Sequence, residues 1–310
     1  MTRTSRKQAV DLAQLPTEQL NPAAADLDLK SALEIARVIN KEDATIAAAI
    51  ERALPQIAET IDRIAAALKR GGRLIYVGAG TSGRIAALDA SECPPTFNTD
   101  PKTVQFVIAG GVKALVSAVE ASEDSRELGE SEIAKKKPGK TDVVVGIAAS
   151  GRTPFTVAAV EYARRHGAKT VAVTCNPDSP LGKAAHVAIV TEVGPEVIAG
   201  SSRMKAGSAQ KMVLNMLTSG AMTRLGYVYG NLMVNVHLKN KKLQERGITI
   251  LQHATGSDRA AATKALKAAG SSVPVALVML QTGLGRTQAK RALKSTGGHV
   301  RQAIADARAL

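Results

Sequence analysis

The sequence predicts an α/β fold: a parallel sheet flanked by helices on both faces (an αβα sandwich), followed by a small all-helical module. Two observations carry the sheet. Apolar runs of strand length, at 73–77, 104–108, 142–147, 170–174 and 187–190, are continuous rather than alternating, as in strands buried on both faces. Helical patterns at 83–90, 112–121, 154–166 and 180–185 separate them, which is the βαβ order of a parallel sheet. A third observation carries the module. From Leu251 onward the chain turns to Ala, Lys, Arg and Gly, with short helical periods at 258–269, 273–281 and 286–294 and a last one from His299.

Ahead of the sheet, Ile46, Ile50, Leu54, Ile57, Ile61, Ile64 and Leu68 recur at helical spacing. Residues 43–70 therefore read as one amphipathic helix, kinked at Pro55 and stopped by Gly71-Gly72. The five strands follow, and their ligands belong at the carboxyl ends. After them a helix over 205–225 carries Met212, Val213, Leu214, Met216 and Leu217 with little polar face, so it is expected to be buried or to lie against a second subunit. The chain thus divides into a sheet domain over 1–250, with its N-terminal helical segment, and a helical module over 251–310.

The composition, 45% apolar and 22% charged, is that of a soluble globular chain. The opening residues, MTRTSRKQAVDLAQL, are basic but lead into no apolar core, so no secretory signal is expected. The longest apolar stretches are too short to span a bilayer. Two cysteines cannot build a disulfide framework, and a reducing cytoplasm is the expected compartment. The net charge of +14 is concentrated late: from Lys239 to the end, lysine and arginine outnumber acids 13 to 3. A basic segment of this kind can meet nucleic acid, an anionic surface or an acidic partner, but its first reading is solvated helix faces. Seven aromatic residues in the whole chain argue against base stacking and so against a nucleic-acid partner. The five histidines are scattered, and no metal site is legible.

Three strand-to-helix turns are rich in hydroxyls: Gly80-Thr81-Ser82-Gly83-Arg84, Ser150-Gly151-Arg152-Thr153-Pro154, and Gly200-Ser201-Ser202-Arg203-Met204-Lys205. Each opens a helix, where unpaired N–H groups and the helix dipole favour an anion. Serine and threonine are ordinary N-caps, so one such turn says little. Three at strand ends of one sheet point to a phosphate-bearing ligand. The first also fits the G-x-G-x-x-G spacing of a dinucleotide loop. That reading fails, because the second strand ends Ile108-Ala109-Gly110-Gly111 with no acid for the ribose, and Asp100 lies at its wrong end.

Two acidic stretches follow. In Ser91-Glu92-Cys93-Pro94-Pro95 the prolines are expected to end the helix and fix the chain behind Glu92, as suits a general acid or base. Taken alone, a surface glutamate in a turn accounts for it as well. Cys93 has no histidine placed to activate it and reads as a buried thiol. Glu120-Ala121-Ser122-Glu123-Asp124-Ser125 falls near the same sheet edge, where a solvated charge run is the competing account.

The stretches GAGTSGR…LDASECPPT, AVEASEDSRE, GIAASGRTP and EVIAGSSRMKAGSAQKMVLNML together resemble the N-acetylmuramic acid 6-phosphate etherases, of the sugar isomerase (SIS) fold. The resemblance runs from Pro16 to about Lys242, and the end of the chain is similar to the ubiquitin-associated-like module of that family. It implies cleavage of the lactyl ether of N-acetylmuramic acid 6-phosphate to N-acetylglucosamine 6-phosphate and D-lactate, in cell-wall sugar recycling. By position, Glu92 corresponds to the acid that protonates the leaving lactate and Glu123 to the base at C2. Gly80, Thr81, Ser82, Ser150, Thr153, Ser201 and Ser202 are placed around the sugar phosphate, with Lys205 and Arg203 as candidates for an anionic group. No cofactor is called for, and a homodimer is expected, since SIS domains usually pair.

The chemistry agrees with these residue types. Opening the sugar to its aldehyde makes the C2 proton removable, and a protonated acid then lets the C3 lactate leave before water adds back. Two carboxyl groups with separated pKa values suffice for both steps. Two rivals share the fold: an aldose–ketose sugar-phosphate isomerase, and a non-catalytic sugar-phosphate sensor or regulator. The two carboxylate motifs argue against each.

Overall fold

The computed structural model describes residues 16–117, 119–238 and 240–309. The basic opening residues lie outside them. The chain separates into two compact units, one of Met1–Ala58, Ile75–Ala87 and Phe106–Leu214, the other of Glu59–Leu74, Leu88–Gln105 and Asn215–Leu310.

The sheet has five strands in the order β2-β1-β3-β4-β5, namely β1 (Leu74–Gly78), β2 (Val104–Ile108), β3 (Val143–Ile147), β4 (Lys169–Thr174) and β5 (Val187–Val190). Pairing is parallel, with Val145 opposite Val171 and Val173 opposite Ile189. All five expected strands are present within a residue of their expected ends. Every residue of β1 and β3 is buried, which is why their sequences are unbroken apolar runs. The order reverses after β1: the chain goes out to β2 and returns to β3. Between the carboxyl ends of β1 and β3 there is therefore a switch-point crevice, the place where open parallel sheets take ligands.

In the first unit, α5 (Arg126–Ala134) and α6 (Pro154–Arg165) pack on the sheet through Ile133, Phe155, Ala159 and Ala163, against Ile75, Val77, Val107 and Val144. Helix α7 (Pro180–Ala184) adds Leu181 against Val160 and Ala172. Helix α8 (Lys205–Arg224) buries Ala206, Ala209, Val213 and Leu217 completely, as its apolar sequence requires. Helix α1 (Ala32–Asp43) starts with a full Ser31–Glu34 capping box, yet buries no residue.

Three local expectations are corrected. The single helix over 43–70 is two, α2 (Ile46–Glu51) and α3 (Leu54–Lys69), broken at Arg52-Ala53. Pro55 does not kink a helix. It sits in the first turn of α3, where its missing N–H needs no acceptor. The helix over 112–121 is two short 3-10 turns, Gly111–Leu115 and Glu120–Ser122, preceded by left-handed Gly110 (φ 81°). Val119 packs so close to Gly110 that a Cβ there would stand 2.8 Å from the valine Cβ. Helix α4 (Gly80–Phe97) begins earlier than expected and runs through both prolines. Pro94 and Pro95 fall in its last turn, so the carbonyls one turn back lose two donors, but little helix is left to disrupt and the Asn98 N–H closes on the Pro94 carbonyl at 2.9 Å. Glu92 thus lies on a helix and is not fixed behind a stop.

In the second unit, α9 (Lys241–Thr255), α10 (Arg259–Ala268), α11 (Val273–Thr282), α12 (Arg286–Ser295) and α13 (Val300–Arg308) enclose a separate core. Leu251, Val273, Leu277, Ala289 and Ala303 are at its centre. The core also takes Val234 and Val236, which follow the two-residue strands β6 (Val228–Tyr229) and β7 (Leu232–Met233).

Candidate active site

The first hydroxyl turn joins β1 to α4 so tightly that a Cβ on Gly78 would stand 2.9 Å from the Gly83 nitrogen. Gly80 takes a positive φ of 50°, and Thr81 and Ser82 form the first turn of α4. The Gly83 N–H bonds the Ala79 carbonyl, while the N–H groups of Gly80, Thr81 and Ser82 have no acceptor among the described residues. This helix start is therefore free to receive an anion, with two hydroxyls beside it.

The second turn joins β3 to α6. The Ser150 hydroxyl accepts the Arg152 N–H at 3.3 Å, and Gly151 (φ 67°) accepts the Leu181 N–H at 2.9 Å. Thr153 is the N-cap of α6, but its side chain makes no capping bond. Pro154 has no N–H, and the Phe155 N–H is engaged by the Glu123 carbonyl at 3.0 Å. That bond ties the acidic stretch to the start of α6.

Glu123 is set between these two turns. Its carboxylate is so near Gly80 that a Cβ there would stand 3.1 Å from Oε1. The side chain is half-buried, and burial pushes its pKa up, helped by the charges of Glu120 and Asp124 and opposed by Arg84. Arg84, one turn along α4, is held by the Ser117 carbonyl at 2.9 Å. A carboxylate with a raised pKa beside an anion seat has the properties of a proton-transfer group.

The third turn differs from the other two. Glu196, fully buried, accepts the backbone N–H of Lys205 and of Ala206, both at 2.9 Å, so the start of α8 already holds a carboxylate. Lys205 is buried as well, and its ammonium pairs with Glu42 at 2.7 Å. Ser201 and Ser202 stand half-buried ahead of it. Helix α8 meets α4 at Gly207, where a Cβ would lie 3.5 Å from Thr81 Cγ2.

The first unit therefore holds Gly80, Thr81 and Ser82 after β1 and Ser150 and Thr153 after β3, with Glu123 between those turns, while Ser201, Ser202 and Lys205 lie at the start of α8, well past the end of β5 at Val190. Glu92 falls in the second unit, exposed on α4. Its neighbour Cys93 is buried, and burial pushes the thiol pKa up to about 12, far from a nucleophile. Sequence reasoning missed Glu196 and Glu42, and gave Arg84 no role; no periodicity links them to their partners, which lie 9 residues away for Glu196, 163 for Glu42 and 33 for Arg84. A cavity of about 500 Å³ lies at the amino ends of β1 and β2, lined by Lys69, Arg73, Lys102, Tyr227 and His299 among others. It contains none of the hydroxyl turns and lies at the wrong end of the strands for this chemistry. Among the described residues no three His, Cys, Asp or Glu side chains gather to hold a metal, and no helix is long and apolar enough to cross a membrane.

Residues 56–164 match the model of the glucokinase regulatory protein N-terminal SIS domain, and residues 135–220 match the SIS domain model. An N-acetylmuramic acid 6-phosphate etherase of Symbiobacterium thermophilum is 57% identical over 87% of this chain and 90% of its own length. The protein of the same name from Vibrio vulnificus strain YJ016 is 52% identical over 96% of this chain and 99% of its own, and that of Klebsiella aerogenes 49% over the same shares. With identities of this size along nearly the whole length, the chain belongs to the N-acetylmuramic acid 6-phosphate etherase family.

Proposed function

We propose that Glu123 and Glu92 carry out in this chain the reaction of its family. The protein is a lyase that cleaves the D-lactyl ether of N-acetylmuramic acid 6-phosphate, giving N-acetylglucosamine 6-phosphate and D-lactate. The observation that carries the site assignment is the half-buried Glu123 carboxylate beside the unengaged start of α4. The phosphate sits on the N–H groups of that helix start, with the hydroxyls of Thr81 and Ser82, and Ser150, Thr153, Ser201 and Ser202 line the sugar. Glu123 takes the C2 proton of the open-chain aldehyde. Its pKa, raised chiefly by burial, makes it a stronger base than an ordinary carboxylate. The charge left on the substrate moves to the carbonyl oxygen, where hydroxyl donors stabilise it. Glu92 donates a proton to the ether oxygen as the C2–C3 double bond forms and lactate leaves; water then adds at C3, giving a proton back to Glu92, while Glu123 returns the proton to C2.

The active form is a homodimer with sites near the subunit boundary, in the cytoplasm. The apolar side chains of Leu20, Leu29 and Leu33 are exposed ahead of and on α1, a helix with no buried residue, and a second copy would cover them.

Released D-lactate measured on the 6-phosphate, with the unphosphorylated sugar as control, tests the reaction. Deuterium entry at C2 tests the roles. Glu92→Gln should slow lactate release by about 10² to 10⁴ while exchange persists. Glu123→Gln should suppress exchange and release together. Exchange lost in Glu92→Gln and kept in Glu123→Gln would reverse the two assignments.

A further inference from the structure

The turn that carries Ser201 and Ser202 is anchored by buried charge that the reaction itself does not use. Behind it, Glu196 closes the N-terminus of α8 with two bonds of 2.9 Å, so the helix has no free anion seat there. The Lys205 ammonium, 3% exposed, reaches back to Glu42 Oε2 at 2.7 Å. Asn21 Nδ2 donates to the same oxygen at 2.8 Å and to the Pro195 carbonyl at 3.2 Å. Both flanks of the turn, Pro195-Glu196 before it and Lys205 after it, are thereby tied to α1 and to the segment ahead of α1. That segment has a second anchor: the Asn176 amide, just past β4, donates to Thr17 Oγ1 at 3.1 Å.

A buried ammonium is costly to leave alone, so Lys205 stays with Glu42 instead of turning to a ligand. The carboxyl of Glu42 is correspondingly held below its usual range, chiefly by the bond from Lys205. With the helix N–H groups and the lysine both engaged, the entry to α8 offers a ligand only its two serine hydroxyls and the main chain around them. Their position then depends on the tie.

We propose that Asn21, Glu42 and Lys205, backed by Glu196, form a charge lock that holds the Ser201-Ser202 turn in place for the sugar phosphate, as positioning residues and not as ligand contacts. The proposal rests on the placement of Ser201 and Ser202 at the ligand given above.

The test uses the full chain and two independent readouts, amide hydrogen exchange over 195–206 and the kinetics of lactate release. Glu42→Gln should speed exchange in that segment about tenfold or more, the value of one charge-assisted bond, and leave the sheet strands protected as before. KM should rise about tenfold with kcat within about threefold, the signature of lost binding and not of lost chemistry. Lys205→Met should behave alike, and the double variant should add little to either single one. Asn21→Ala, which strands no buried charge, should speed exchange in the same segment and serves if Glu42→Gln folds poorly. Unchanged exchange over 195–206 in the variant that folds would overturn the lock. So would a raised KM in Lys205→Met with normal binding in Glu42→Gln, since the lysine would then touch the ligand. Failure of the wild type to release lactate would count against the proposed reaction, while the exchange result would still decide the lock.

Discussion

Gly129, in the interior of α5, sets two physical rules against each other. Helix propensity alone says that Gly129→Ala stabilises by about 1 kcal/mol. The packing says the opposite. A methyl group there would stand 2.9 Å from the Phe155 carbonyl carbon and 3.0 Å from its Cα, and closer still to the oxygen. Carbon atoms in good contact are about 3.5–4.0 Å apart, so the two helices must separate by roughly 1 Å. What must move is main chain, not a flexible side-chain tip: Phe155 is fully buried in the first turn of α6. Overpacking of this kind costs about 1–3 kcal/mol, which offsets the propensity gain and leaves a net destabilisation of up to about 2 kcal/mol. The effect should reach the chemistry too, because the Phe155 N–H holds the Glu123 carbonyl. A displacement near 1 Å at a reacting group can lower the rate about 100-fold. Urea denaturation and lactate release, measured together, check both parts. Gly139→Ala is the control, since a methyl group there meets nothing within 4 Å, and it should stay within about 0.5 kcal/mol. A Gly129→Ala protein as stable and as active as its parent would refute the claim that α5 and α6 fix Glu123 through this contact.

Other perturbations have equally definite outcomes. The acid limb of kcat/KM should lie above the ordinary carboxylate range, and Arg84→Met should move it higher, because Arg84 holds the pKa of Glu123 down; a pH–rate profile decides this. The same raised pKa works against folding at high pH: its stabilising share is present below the unfolded carboxyl range and is lost as pH climbs through the raised value. Cys93 and Cys175, buried with thiols pushed up to about 12, should resist maleimide at pH 8 in the native protein and react on unfolding. A chain ended after Gln252 would uncover Ile248 and Leu251 of the helical core, so it should aggregate in size-exclusion chromatography. Sedimentation at micromolar concentration should give a dimer, and Leu29→Glu with Leu33→Glu should weaken it.

The sheet was legible because burial on both faces leaves its mark directly in the sequence. Val143-Val144-Val145-Gly146-Ile147 has no polar position because no face of β3 meets water. The helices of the C-terminal region were legible through their ends: Asp258 and His299 cap α10 and α13, and left-handed Gly283 closes α11. Expectations failed where two local signals competed. Pro94-Pro95 reads as a stop, and the pair does deprive the preceding turn of two donors, but it stands so near the end at Phe97 that the helix runs through it before stopping. Here α4 was already in its last turn. Residues 112–121 have helical spacing, yet the close packing of Val119 on Gly110 bends the chain into separate turns.

The candidate site divides along the same line. Hydroxyls at strand ends are local features, and the three turns could be found from spacing alone. What each turn has left to give a ligand is not local. The starts of α4, α6 and α8 look alike in sequence, each with Ser or Thr ahead of an apolar helix. In the fold the first α6 donor goes to the Glu123 carbonyl and the first two of α8 go to the Glu196 carboxylate, while those of α4 remain. Glu196 precedes Lys205 by nine residues, and Glu42 bonds Lys205 across 163. No periodicity encodes such pairings. They follow from which buried charges the fold must satisfy, and only the folded chain settles that. The anion preference of a helix start is thus a property of its sequence, but its availability belongs to the tertiary structure. That is why three turns alike in sequence differ in what they can offer a phosphate: among the described residues, the start of α4 keeps its donors unengaged, while those of α6 and α8 are taken.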